Sequence, residues 1–368
     1  MSISRRTILK MAATPALIAM PAIHRAKADD KILNVYNWAD YIGETTIEDF
    51  QKVSGIAVTY DTYSSTDEMQ AKMLAGSTGY DVVDMAGLSL PRFVAAGIYD
   101  KLDKSKLPNW KNLDPGILTI LEGFDPGNAH AMPYMWGSVG FTYNADLVKE
   151  RLPNADLESL DLLMKPENAE KLADCGISWL DEPTDTIMLI LDYLGKERDA
   201  YKPEDLKAVV EAFKQIRGTV RTFDSTNYLN ALPNQELCVA NCWSGDYSTA
   251  KARAAEAGVN INLGYFVPKT GAPAWFDLFC IPADAKNKDN AHAFINYMME
   301  PEVVAKCTNF TNYANANLAS KAFVDPAVLA NPAVYPSDEV MKRLYTPKPL
   351  TEEFDRALTE TFTAMKSG

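Results

Sequence analysis

Histidine is almost missing from this chain, with only His24, His130 and His292 in 368 residues. The five cysteines, Cys175, Cys238, Cys242, Cys280 and Cys307, stand at no metal-ligand spacing. That poverty excludes a zinc site and a histidine-based catalytic triad. No G-x-S-x-G nucleophile elbow or flavin motif replaces them. No catalytic residue, metal or cofactor is therefore expected. Basic residues are also scarce, 36 Lys and Arg against 49 Asp and Glu, for a formal net charge of −13. Nucleic-acid binding needs basic stripes and is excluded on that ground. Beyond the apolar stretch at 11–20, itself too short to span a bilayer, no long hydrophobic run, repeat or low-complexity tract occurs.

What is present begins with an address. Ser4-Arg5-Arg6-Thr7-Ile8-Leu9-Lys10 precedes the short apolar stretch, and Ala26-Lys27-Ala28 follows it. This is the pattern of a twin-arginine export signal cleaved after Ala28, with a general secretory signal as the alternative. No cysteine follows the cleavage point, so a lipid anchor is not expected, and the product belongs in a bacterial periplasm. Cleavage removes five basic residues and no acids, leaving 31 basic against 49 acidic residues and a charge of −18. Such a surface favours encounter with cations. Five cysteines in an oxidising compartment leave one odd. One disulfide with three buried thiols fits better than two disulfides, and the residues alone do not select the pair.

The remaining 340 residues suit two domains. Apolar strands at 32–36, 57–60 and 80–85 alternate with helical patterns at 45–54 and 65–74, which predicts a mostly parallel sheet flanked by helices. A second α/β region follows, with helices at 163–173, 186–194, 203–217 and 249–257 and a strand at 237–240. Two extended, aromatic-rich stretches, 131–143 and 261–281, read as crossings between lobes, and a helix follows at 290–299. The expected fold class is α/β and two-lobed, with extended crossover strands joining the lobes. The first lobe takes 29–136 plus about 265–310, and the second 137–264 plus about 311–368. In such sheets ligands bind beyond the strand ends, where two lobes can close over them.

Tryptophan and aspartate are paired closely at separate points, among them Trp38 with Asp40 and Tyr41, Trp243 with Asp246, and Trp275 with Asp277. An aromatic face attracts a desolvated ammonium, and a carboxylate pairs its N–H donors. Brought into one cleft, the pairs suit an organic cation with methylenes and more than one charged end. The plainer reading makes each Trp core and each Asp a turn or cap. Asp277 resists it, because an unpaired carboxylate inside an apolar strand is costly. Asp246 precedes a helical stretch and could serve only as its cap. Asp181-Glu182-Pro183-Thr184-Asp185 opens a helix and could serve its dipole alone. Trp136 and Trp179 read as core packing.

At these residues the chain resembles the polyamine-binding periplasmic receptors of ABC transporters, the spermidine- and putrescine-binding proteins. The likeness runs through LNVYNWADYI, AKMLAGSTGYDVV, LDKSKLPNWKNLDP, AMPYMWGSVGFTYN, CWSGD, FDLFCIPADAKNKD and NYANAN, in that order. It implies a type II solute-binding fold that closes on its ligand and docks, as a monomer, on membrane permease subunits. Carried over by position, Trp38 and Tyr41 would box the ligand with Asp40 at one amine, while Trp243 stacks on methylenes and Asp246 holds the other end. Asp185 and Ser225 would add polar contacts, Trp275 and Phe276 would flank Asp277 at a second amine, and Tyr313 and Lys348 would complete the cleft. Cys175 and Cys238 fall where putrescine-type receptors carry a disulfide. Ala39 and Ala86 replace serines of the putrescine type, Glu182 adds an acid and Trp275 a larger ring, whereas Lys348 is a putrescine-type feature. The balance of these departures favours spermidine over putrescine, with putrescine or another diamine as the alternative. A periplasmic carboxylate-dependent hydrolase is the alternative of a different class.

Overall fold

The computed structural model of the protein describes residues 31–198, 200–349 and 351–368; the expected export signal and its cleavage point lie outside the described residues. Eleven strands run in chain order as β1 Ile32–Trp38, β2 Ala57–Tyr63, β3 Val82–Ala86, β4 Ala131–Asn144, β5 Ile177–Trp179 and β6 Val220–Phe223, then β7 Val239–Trp243, β8 Leu263–Phe266, β9 Ala272–Cys280, β10 Ala314–Asn315 and β11 Leu344–Tyr345. Their path is β2-β1-β3-β9-β4-β7-β5-β6, with β8 and β10 added to β4 and β11 to β9.

The outer strands are parallel and the middle ones are not. β1 pairs in parallel with β2 and β3, and β5 with β6 and β7. These are the segments joined by helices, as a parallel connection requires. β9 runs antiparallel to β3 and β4, and β4 antiparallel to β7 and β8. The first half of β4, to Ser138, pairs with β9, and the second half, from Val139, pairs with β7. One strand of 14 residues thus belongs to both halves of the sheet. This is the crossing that the extended run 131–143 predicts.

Separate hydrophobic clusters fill the two lobes. One gathers Phe141, Trp179, Ile187, Phe213, Phe266 and Leu358. Another holds Leu33, Phe50, Tyr134, Phe279 and Phe294. Trp243 and Trp275 pack against both, so the lobes meet at two of the three tryptophans singled out above. Trp179 is fully buried, edge-on to Phe141 and Phe213, while Trp136 stacks near Phe276. Local signals set the ends of elements as expected. Gly55 closes the helix Thr46–Ser54 at φ 69°, and the Ser65 side chain caps Thr66–Leu74 by accepting from the Glu68 amide.

β10 pairs with β4 at Met135 and Trp136, and Tyr313 belongs to the same hydrophobic cluster as Leu33 and Phe279. The last helix, Glu352–Ser367, packs on Pro183–Tyr193 and Pro203–Lys214. That last helix also reaches back across the lobes. Its Asp355 takes an ion pair of 2.7 Å from Arg92, on the helix Leu90–Ala95 that follows β3.

Cys175 and Cys238 form a disulfide with Cα atoms 5.4 Å apart, whereas Cys242, Cys280 and Cys307 are free and buried. The bond closes a loop of 63 residues around β5, β6 and their helices. Cross-linking a loop of that length restricts the unfolded chain, and its removal costs about 2–4 kcal/mol. The double variant Cys175→Ser/Cys238→Ser should show that loss in urea denaturation. An unchanged midpoint would contradict it.

Candidate functional site

Trp38 ends β1, and the chain then turns through Asp40, whose φ of 54° lies in the left-handed region that Asp tolerates. That turn leaves Asp40 exposed and carries Tyr41 inward, where it is 7% exposed and its carbonyl accepts the Tyr134 hydroxyl at 2.8 Å. The Tyr41 hydroxyl donates to Asp277 Oδ2, also at 2.8 Å. Side chains alternate along β9, so Trp275 and Asp277 share one face and Phe276 takes the other. Phe276 is buried there among Met85, Phe124 and Leu278 rather than beside Asp277.

The second lobe supplies the facing groups. Asp246 sits in the first turn of Ser244–Glu256, but the N-cap is Trp243, so capping does not explain the acid. Its oxygens instead accept the hydroxyls of Tyr228 and, at 2.7 Å, Tyr313. The Trp243 indole N–H donates to Asp185 Oδ2 at 2.8 Å. Rings close the space from both lobes. Trp38 and Trp243 have centroids 6.5 Å apart, and Tyr313 meets Trp275 edge-on at 5.1 Å and Tyr41 at 5.6 Å. Gly245 lies against the Tyr313 ring, where a Cβ would come within 2.6 Å, so only glycine admits this approach.

The structure thus brings Trp38, Tyr41, Asp185, Trp243, Asp246, Trp275, Asp277 and Tyr313 together between the lobes. Glu182 stands beside Asp185, with Asp67 of the first lobe near enough to perturb it. Ser225 accepts the Asp181 amide at 3.1 Å and ties down that loop. Lys348 is exposed, as is Asp40. Two contributors were not anticipated. Tyr228 carries no local signal, since nothing near it in sequence points to Asp246. Asp84 does carry one: it is a lone acid in the apolar strand Val82–Ala86, the same argument that singles out Asp277.

The electrostatics are one-sided. Loss of solvation pushes the Asp185 and Asp246 carboxyls up to about 6, and Glu182 up to about 8 with help from Asp185, Asp67 and Asp181. Asp84 and Asp277 are raised as well, chiefly by burial. Among the described residues, no lysine or arginine forms an ion pair with any of these five acids. Their donors are phenols and an indole. The indole nitrogens of Trp38 and Trp275 and Asp84 Oδ2 are buried without a hydrogen-bond partner. Among the described residues no cluster of acids, His or Cys could hold a metal ion, and no helix is long and apolar enough to cross a membrane.

Comparison with known proteins follows the same line. The profile of the bacterial extracellular solute-binding protein family matches residues 45–336. The chain belongs to that family. It is 47% identical over 342 residues to the putrescine-binding periplasmic protein SpuD of Pseudomonas aeruginosa, covering 93% of each chain. It is 44% identical over 355 residues to the putrescine-binding periplasmic protein PotF of Escherichia coli, covering 96% of each. A putative spermidine/putrescine ABC transporter protein from Listeria monocytogenes has the same fold, with a TM-score of 0.81 at 28% identity over 91% of this chain and 99% of that one. The protein is a solute-binding protein rather than an enzyme, and the hydrolase alternative falls.

Raised carboxyl pKa values have a signed effect on stability. A carboxyl that holds its proton more tightly when folded favours folding at low pH, and that contribution is lost as pH rises through its folded value. Relative to Asp185→Asn, the ligand-free protein should therefore lose stability between about pH 4 and pH 6 and then level off. Chemical denaturation of both proteins across that range tests it, and a constant difference would refute the assignment.

Proposed function

We propose that the protein is a periplasmic receptor that closes on a polyamine and delivers it to an ABC permease, with a putrescine-sized diamine as the preferred ligand. The observation that carries this reading is the set of buried acids between aromatic rings, contributed by both lobes, whose hydrogen-bond donors are phenols and an indole. Asp246 would take one ammonium and Asp277 the other, and Trp38, Trp243 and Trp275 would cover the methylenes. Closure would strengthen both charge pairs by removing water, and a ligand lacking its second amine would leave a buried acid unpaired.

The expectation of spermidine over putrescine gives way to its alternative. SpuD and PotF, both named as putrescine-binding, share 47% and 44% identity with this chain along nearly their whole length. Glu182 also makes a weak third counter-charge, because burial and its acidic neighbours favour its neutral form. Trp275 then acts as a wall of the cleft rather than as a mark of longer ligands. Asp40, Ser225 and Lys348 would serve the rim and Phe276 the packing behind β9. Export with cleavage after Ala28, and action as a monomer without lipid anchor, complete the proposal. The first lobe would keep the chain past 311 before the last helix returns to the second.

Titration calorimetry with putrescine, spermidine and acetylated spermidine tests the reading. Putrescine should bind most tightly, and the blocked amine should bind far more weakly. Asp246→Asn and Asp277→Asn should each cost about 2–5 kcal/mol of binding, the usual loss when one partner of a buried charge pair is removed. Absence of heat with every amine, in protein stripped of carried-over ligand, would refute it.

A further inference from the structure

Behind Asp277 lies a second acid that the ligand-binding reading does not use. β3 and β9 pair antiparallel with Ala86 opposite Asp277 and Asp84 opposite Phe279. Residues 84, 86, 277 and 279 therefore share one face of the sheet, and Asp84 is the diagonal neighbour of Asp277, roughly 7–8 Å along the face. Asp84 is completely buried, and Asp277 is 8% exposed. The Tyr63 hydroxyl reaches the Asp84 carbonyl oxygen at 3.2 Å and Oδ1 at 3.4 Å, while Asp84 Oδ2 has no donor at all.

Among the described residues the neighbours of the two acids are phenols, a thiol and a further carboxyl. The phenols of Tyr41, Tyr60, Tyr63, Tyr99, Tyr134 and Tyr313 each interact electrostatically with one or both of the two acids. The Cys280 thiol, on the opposite face of β9, also interacts electrostatically with Asp84, and the Asp185 carboxyl of the second lobe with Asp277. Every one of the phenols and the thiol is neutral near pH 7, and among the described residues neither acid has a lysine or arginine partner. Two carboxylates in one dry volume without a cation do not both ionise.

We propose that Asp84 and Asp277 hold one proton between them in the empty cleft, and that an ammonium arriving at Asp277 expels it to solvent. This rests on the polyamine reading above only for the identity of the cation. The step balances. An ammonium of charge +1 meets a singly protonated pair of charge −1, and the products are the ammonium on a doubly ionised pair and one released proton. Asp84 is a positioning residue in this scheme. It does not touch the ligand but decides how many protons the ligand displaces.

Two measurements test it, the first without any ligand. Infrared difference spectra of the ligand-free wild type against Asp84→Asn at pH 7.5 should show a protonated carboxyl that the variant lacks. Superimposable carboxyl regions would overturn the proposal. Second, calorimetry with putrescine in buffers of different ionisation enthalpy counts protons. The wild type should release up to about one more proton per ligand than Asp84→Asn, and equal release would overturn the proposal. A merely structural Asp84 would change affinity without changing that count. Should Asp84→Asn not fold, Asp84→Leu poses the same question. If putrescine fails to bind the wild type, the polyamine reading fails, and the infrared arm still decides the pair.

Discussion

A carboxylate taken out of water must find a positive charge or give up its own, and this chain places several in that position between two lobes. Asp277, Asp246 and Asp185 each receive a hydrogen bond from Tyr41, from Tyr228 and Tyr313, or from Trp243. Those donors orient the oxygens without neutralising them. Neutral donors of this kind soften the desolvation penalty but leave the charge uncompensated, so the site stays poised for an external cation. The fold serves that condition. A strand shared between both halves of the sheet, β4, lets acids from separate lobes face a common space, and rings from both lobes shut water out of it.

Much of this was legible in the sequence, for definable reasons. The alternation of short apolar strands with helices announced the α/β class, and the aromatic stretch at 131–143 became the shared strand β4. Asp277 stood out because its neighbours are apolar, and the structure buries it. Asp246 was ambiguous in sequence, since an acid at a helix start is also what a cap looks like, and only the N-cap at Trp243 separates the two. What stayed hidden depends on pairing across long sequence distances. Tyr228 meets Asp246 through tertiary packing, and Phe276 turns away from Asp277 because residues adjacent in a strand point to opposite faces. The strand Ala314–Asn315 also went unread, because two residues are too short to carry a pattern of their own. The cysteine pairing came from family likeness, and spacing alone would not have chosen Cys175 and Cys238.

The same arrangement explains why selectivity can rest on few contacts. In the proposed mode of binding, an acid at each end of the ligand would measure the span between two charges, and the rings between them would reward methylenes without demanding any one geometry. A singly charged solute would satisfy only one end and a neutral one neither, and the cost of the unmet acid would then act as the filter. On the proton-sharing proposal Asp84 would sharpen this, because the pair would give up its proton only to a ligand that brings a positive charge of its own.

Arg92 and Asp355 join the lobes away from all of these groups, 2.7 Å apart and about a third exposed on each side. An ion pair so placed is worth at most about 1 kcal/mol and is screened by dissolved salt. On the proposed mode of action it would form only when the lobes close, and would add to the barrier for opening without adding to recognition. The dwell time of a captured solute would thereby be coupled to the ionic strength of the surrounding fluid. In dilute medium the receptor would hold its cargo longer, and in brine it would surrender it sooner, with the same groups touching the solute in both.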